Sequence, residues 1–136
     1  MDVKTLAAIL MLLLHPSPGW TEGDATFAWI PNAVEEQISG YKLYYKVAGN
    51  EEWDGNDADQ GSSPLVITGG DANMFTITGL DPTVSYTFAL SAWRNEWNGQ
   101  PAVYVESGLT PEITVTGTSG MIMVSTPQGW ELIKIE

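Results

Sequence analysis

Residues 75–93 read Phe-Thr-Ile-Thr-Gly-Leu-Asp-Pro-Thr-Val-Ser-Tyr-Thr-Phe-Ala-Leu-Ser-Ala-Trp. Two stretches of alternation stand on either side of a turn. Phe75 and Ile77 alternate with threonine in the first, and Tyr86, Phe88, Leu90 and Ala92 alternate with small or polar residues in the second. A period of two puts the apolar side chains of a strand on one face, so each stretch predicts a half-buried β-strand. Gly79 and Pro82 lie between them, residue types that interrupt ladders and turn the chain.

The same pattern continues on both sides. Ala25 to Ile30 places Phe27 and Trp29 on one face and stops at Pro31, which cannot donate to a central ladder. Ser39 to Val47 directs Tyr41, Leu43 and Tyr45 one way and Lys42, Tyr44 and Lys46 the other, predicting a core side and a solvated side. Pro64 to Thr68 and Asn73 to Thr78 are shorter runs, and Gly69-Gly70-Asp71 between them reads as a tight hairpin turn. Further on, Glu112 to Thr116, Met121 to Thr126 and Trp130 to Ile135 each read as a strand, with turns at Thr118-Ser119-Gly120 and Pro127-Gln128-Gly129. No stretch after Gly19 has a 3.6-residue apolar period. The 14 glycines and 8 prolines favour short strands and turns over long helices, so the expected class is all-β. A chain of 136 residues has room for one domain with one core.

Three segments in order resemble the fibronectin type III family: residues 25–31 its B strand, residues 39–45 its C strand, and Leu80-x-Pro82-x-x-x-Tyr86 its E-to-F corner. The resemblance covers about residues 24–107 and implies an immunoglobulin-like β-sandwich. It implies a structural core of Trp29, Tyr41, Leu43, Leu80, Pro82, Tyr86, Phe88 and Leu90. In that pattern Leu80 plugs the end of the core and Pro82 fixes φ in the crossover between sheets. The Tyr86 hydroxyl bonds back to the backbone as a tyrosine corner. A G strand is implied near Ala102 to Ser107, preceded by an F–G loop over residues 94–100, which this family uses for partner contact. Within that loop Arg94, Trp97 and Asn98 are the candidate binding residues. Two departures stand out. The full A strand before Ala25 is missing, so that edge is vestigial or is filled by Leu6 to Leu14 or by a partner chain. A turn-rich insertion also occupies Ala48 to Ser63. The division expected is an apolar segment 1–19, a sandwich 20–107, and a short β extension 108–136 packed on the sandwich or on another subunit.

Leu6 to Leu14 is apolar throughout, follows Lys4 and precedes His15-Pro16-Ser17-Pro18-Gly19. Nine helical residues rise only about 14 Å against a hydrocarbon core of about 30 Å, so the run does not span a membrane. The layout is that of a secretory signal cut before Trp20, with Ser17 and Gly19 as the small residues, although Asp2 cancels the charge of Lys4. The competing reading keeps the run on the mature protein, docked into a neighbour.

Seventeen acidic against five basic residues give a net charge of −12, which excludes a phosphate-binding basic patch and hence a nucleic-acid partner. The only histidine is His15 and there is no cysteine, so Ser–His and Cys–His nucleophile pairs lack parts. The acids include no pair marked out for glycosidase chemistry, and the expectation is a protein that is not an enzyme. The run Asp54 to Gly61 is rich in oxygen ligands but lacks the alternation and closing glutamate of a calcium loop, so it reads as a solvated turn. Neither a metal nor a cofactor is expected. Six tryptophans are many, and besides Trp29 the open cases are Trp53, Trp93 and Trp97, of which Trp53 and Trp97 join the candidate binding set. The expected function is a non-catalytic module, extracellular or on the cell surface, that contacts a protein or polysaccharide through the loops at one sandwich end. The alternative is a structural subunit of a virion or an extracellular filament, self-assembling or joining other subunits through the apolar start and the terminal strands.

Overall fold

A computed structural model describes residues 23–115 in full and residues 9–13, 116, 121–126 and 129–134 as backbone strands. The expectations for His15 and the cut before Trp20, and for the turns at Thr118-Ser119-Gly120 and Pro127-Gln128, lie outside the described residues. The strands are β1 Ile9–Leu13, β2 Ala25–Ile30, β3 Gly40–Val47, β4 Leu65–Thr68, β5 Met74–Ile77, β6 Ser85–Trp97, β7 Gln100–Glu106, β8 Ile113–Thr116, β9 Met121–Thr126 and β10 Gly129–Lys134. The fold is all-β, in two antiparallel sheets. One has the order β10-β9-β1-β2-β5; the other has β4-β3-β6-β7, with β8 on the first half of β6. The sole helical turn among the described residues is Val34–Glu36, and none of their helices is long and apolar enough to cross a membrane.

Alternation decides what lies between the sheets. Phe27 and Trp29 of β2 face Tyr41, Leu43 and Tyr45 of β3 and Tyr86, Phe88, Leu90 and Ala92 of β6, all buried in one core. The rings of Phe27 and Phe88 meet across the sheets at 4.7 Å, and those of Trp29 and Tyr41 at 5.3 Å. Tilted aromatic contacts of this kind add to the burial of the rings themselves.

The corner before β6 closes one end of the core. Leu80 is buried and donates its N–H to Gly23 O at 3.1 Å. A Cβ on Gly23 would lie 2.2 Å from Leu80 O, so the chains can approach here only through glycine. The Tyr86 hydroxyl accepts the Asp81 N–H at 3.0 Å and donates to Asp57 Oδ2 at 2.6 Å. Pro82 departs from the expectation that it belongs to the core: it is exposed, in a turn closed by Val84 N–H to Asp81 O at 3.1 Å. Its fixed φ suits the second position of such a turn, which needs no burial. The insertion after β3 folds under the same end. Tyr45 donates its hydroxyl to Gly61 O at 2.6 Å and accepts the Ala58 N–H at 3.1 Å, and Ala58 joins the core. Asp59 Oδ2 accepts the Thr78 hydroxyl at 2.9 Å.

Three local expectations change. Gly69-Gly70-Asp71 is not a hairpin turn: β4 pairs with β3 and β5 with β2, so the segment crosses between sheets. The apolar positions of β4 (Leu65, Ile67) and β5 (Ile77) are buried only when each strand completes a different sheet. Residues 94–100 are not a loop. Strand β6 runs to Trp97, β7 starts at Gln100, and Asn98 and Gly99 have φ of 53° and 76°, the pair of positive values a two-residue hairpin turn requires. Third, Ile113–Thr116, grouped by its sequence with the terminal extension, lies along β6 and adds Ile113 and Val115 to the common core.

Between β7 and β8 the ladder on β6 is continued by residues outside both strands. Leu90 N–H donates to Thr110 Oγ1 at 3.0 Å and Ala92 N–H to Ser107 Oγ at 2.9 Å, while the Thr110 and Ser107 amides return bonds to the Leu90 and Ala92 carbonyls. Pro111 lies in this interruption and has no N–H to lend a ladder. The missing first edge is filled by β1, antiparallel to β2 from Ile9↔Ile30 to Leu13↔Thr26. Strand β1 also pairs with β9, and it alone connects the β9–β10 hairpin to the rest of its sheet.

All five tyrosines have hydroxyls pushed above the usual 10.0, burial being the largest cause in each, and that of Tyr86 is pushed up to about 12. The unfolded chain therefore releases these protons first. The stability they confer is complete below about pH 10 and is lost as pH rises through the folded values. Absorbance at 295 nm should show buried Tyr41, Tyr45 and Tyr86 ionising only above the usual 10.0, and together with the collapse of the near-ultraviolet dichroism. Titration of these tyrosines in the intact fold near pH 10 would contradict it.

Candidate functional site

One end of the two sheets gathers three connections: residues 31–39 between β2 and β3, residues 69–73 between β4 and β5, and the β6–β7 tip. Tyr41 ties the first two together. Its hydroxyl accepts the Asn32 N–H at 2.9 Å and reaches Gly70 O at 3.3 Å. Trp29 N–H donates to Asn73 O at 3.0 Å, fixing the crossover to the end of β2. A Cβ on Gly70 would lie 2.0 Å from Ile38 O, so the two connections touch backbone to backbone.

The β6–β7 tip is clamped to the first connection. Gln37 leaves the helical turn with φ of 52° and ψ of 47°, which aims its side chain at Asn98. Gln37 Nε2 donates to Asn98 Oδ1 at 2.8 Å, and the Asn98 N–H donates back to Gln37 Oε1 at 2.6 Å. Ser39 and Asn95 form a second reciprocal pair, at 3.1 and 3.2 Å. Arg94 turns inward: it is 5% exposed, its Nη1 donates to Glu36 O at 2.9 Å, and its guanidinium lies 4.1 Å from the ring centroid of Trp97. Cation–π stacking of this sort strengthens where the cation is shielded from water.

The structure therefore brings three of the residues singled out by sequence, Arg94, Trp97 and Asn98, into one unit. Their roles differ. Arg94 and Asn98 hold the tip, whereas Trp97 is 37% exposed and offers the outer side of its ring. Trp53 lies elsewhere, its ring 6.3 Å from that of Tyr44 with Lys46 Nζ 4.5 Å above it, toward the opposite end of β3. Beside the clamp an open cleft of about 440 Å³ is lined by Pro31, Ala33, Val34, Ile38, Gly70 and Asp71.

The chain matches no protein-family model and no curated protein. Gln37, Ser39, Glu36 and Asn95 complete the clamp, and the sequence reading singled out none of them. The Asn98-Gly99 dipeptide was a usable hairpin signal; the partners on residues 36–39 carry no local pattern, because only the meeting of two connections selects them.

A second group stands on the outer face of β3, β6 and β7. Glu106 accepts from Tyr44 at 2.5 Å, Tyr104 at 2.7 Å and Ser91 at 2.9 Å, and pairs with Lys42 at 3.4 Å. Burial pushes its carboxyl up, but those three hydroxyls and the lysine outweigh that and hold it below the usual glutamate value. The rings of Trp93 and Tyr104 stack at 6.1 Å above this network. Its charges are matched internally. Two acids of the insertion are tied to separate partners, Asp57 to Tyr86 and Asp59 to Thr78, and no group of three or more metal-ligating side chains occurs among the described residues.

The clamp makes a measurable claim. Arg94→Lys removes the planar guanidinium that bonds Glu36 O and stacks on Trp97 together, and should lower stability by about 1–2 kcal/mol in urea unfolding. Amide exchange at Asn95 and Asn98 should quicken by about tenfold while exchange in the middle of β6 changes less. Equal protection in both proteins would show that Arg94 does not hold the tip.

Proposed function

We propose that the chain is a fibronectin type III-like module that binds rather than catalyses, contacting a protein or a polysaccharide through the clamped end. The strand pairings support the family reading: β1-β2-β5 correspond to A-B-E of that family, and β4-β3-β6 with β7 and β8 to C′-C-F-G. Strands β9 and β10 then form the added terminal extension.

The observation that carries the binding role is the reciprocal Gln37–Asn98 pair with Arg94 beneath Trp97. A hairpin tip that must close on a partner loses conformational freedom in doing so, whereas one already fixed to its neighbour does not, and pre-organisation of this kind favours affinity. The half-exposed Trp97 ring is the type of anchor that dominates protein contacts and stacks on sugar faces. An extracellular or cell-surface location remains part of this proposal. With the full-length chain immobilised, a partner retained from an envelope or extracellular extract should be lost by at least about tenfold on Trp97→Ala and kept on Trp53→Ala. Retention that survives Trp97→Ala would remove the site.

One observation favours the second reading, a structural subunit of a virion or filament. Strand β1 lies between β2 and β9, so residues 9–13 and the terminal hairpin belong to one sheet that leaves β10 at its edge. An unpaired edge is a template for another chain. Under this reading the mature protein has a mass that includes Met1, and truncation after Thr116, which spares β8, converts an oligomer to monomer in sedimentation. A mature chain that is monomeric and has a mass beginning near Trp20 would exclude it.

A further inference from the structure

We propose that the cleft beside the clamp receives an apolar side chain from a cationic polypeptide segment, flanked by lysine or arginine. This rests on the reading of the clamped end as the contact surface and gives that surface a partner chemistry. Two features of the end combine. Its cleft of about 440 Å³ is walled by Pro31, Ala33, Val34 and Ile38, and of these Val34 stands in water at 88% exposure. An aliphatic guest would remove that surface from water at about 25 cal/mol per Å².

Charge selects the rest of the guest. Glu35, Asp71 and Glu96 are exposed at this end, and Glu36 adds a fourth carboxylate. Asp71 lines the apolar cleft, and Glu96 lines a second concavity that shares Gln37 and Ile38 with it, so acids flank the cleft on two sides. No cation answers them from the described surface. Arg94 is buried beneath Trp97 and bonded to Glu36 O, while Lys42 and Lys46 stand on the outer face of β3 against Glu106 and Trp53. Carboxylates around a low-dielectric cleft attract a cationic partner and repel an anionic one. Asn32 also lines the cleft. Its Nδ2 donates to Glu36, which holds that carboxylate beside the cleft. A polypeptide supplies the aliphatic anchor and the positive charge together. A neutral or acidic polysaccharide supplies neither a cationic group nor a branched aliphatic one.

The test uses the full-length chain and labelled peptides in fluorescence anisotropy at two salt concentrations. The probes are Gly-Lys-Lys-Leu-Lys-Lys-Gly, the same peptide with serine for leucine, and the same with glutamate for every lysine. A neutral glucan and an acidic polysaccharide serve as competitors. The leucine–lysine peptide should bind at least about tenfold more tightly than either variant and weaken as salt rises. Val34→Ser should reduce its affinity by about tenfold, and Asp71→Asn should reduce both the affinity and the salt dependence. Both side chains are exposed, so unchanged melting checks that the fold is intact. Equal binding of the leucine and serine peptides, no binding of either, or indifference to Val34→Ser overturns the proposal. A glucan that binds in a Trp97-dependent way while the peptides do not would overturn the cationic partner and leave the clamped end as the contact surface. Peptide binding that is lost on changing Trp53 but not Trp97 would overturn both.

Discussion

The inward face of β6 is the constraint to which the rest of the molecule conforms. Tyr86, Phe88, Leu90 and Ala92 all point into the core, and a strand that apolar on one side is stable only with a second sheet over it. Phe27 and Trp29 of β2 supply that cover. Within its own sheet β6 is paired along one edge with β3 and along the other with β7 and β8 in turn. The interruption between β7 and β8 leaves two β6 amides without strand partners, and Ser107 and Thr110 accept them. A buried ladder tolerates a break only if its donors and acceptors are met by other groups.

The two ends of the core are closed by different means. At the corner end, polar side chains fasten the long insertion to buried tyrosines: Asp57 to Tyr86, and the backbone at Ala58 and Gly61 to Tyr45. At the opposite end, side-chain amides and a buried guanidinium hold two connections to each other. The first closure serves stability. The second also leaves an exposed ring and an apolar cleft in a fixed relation, and that makes it the better candidate for recognition.

In a chain of net charge −12, the few cations matter individually. Among the residues described in full they are Lys42, Lys46 and Arg94, and each lies against an aromatic ring, those of Tyr104, Trp53 and Trp97. Ring faces and hydroxyl networks thus hold the positive charges close to the fold. The acids around the clamped end are left as its dominant field.

Much of this architecture was legible in the sequence because it is local. The period of two along residues 25–30, 39–47 and 85–93 determines which side chains face inward, whatever the strands pair with, and Leu80 and Tyr86 lie at spacings that a corner requires. Positive-φ turns are written in Gly69 and in Asn98-Gly99, but a dipeptide does not say whether the strands it joins pair with each other. Burial of Leu65, Ile67 and Ile77 decided that β4 and β5 part to different sheets, and a two-residue turn decided that residues 94–97 extend β6. Pairing with β6 decided that Ile113 and Val115 are core, and pairing with β2 decided that Ile9–Leu13 fills the vacant edge. The clamp of Gln37, Asn98 and Arg94 depends on residues about sixty positions apart. Alternation along the sequence determines a strand's faces. Its neighbours, and the side chains that meet beyond its ends, are settled only when the sheets close on a shared core, because only then does each unpaired group find or lack a partner.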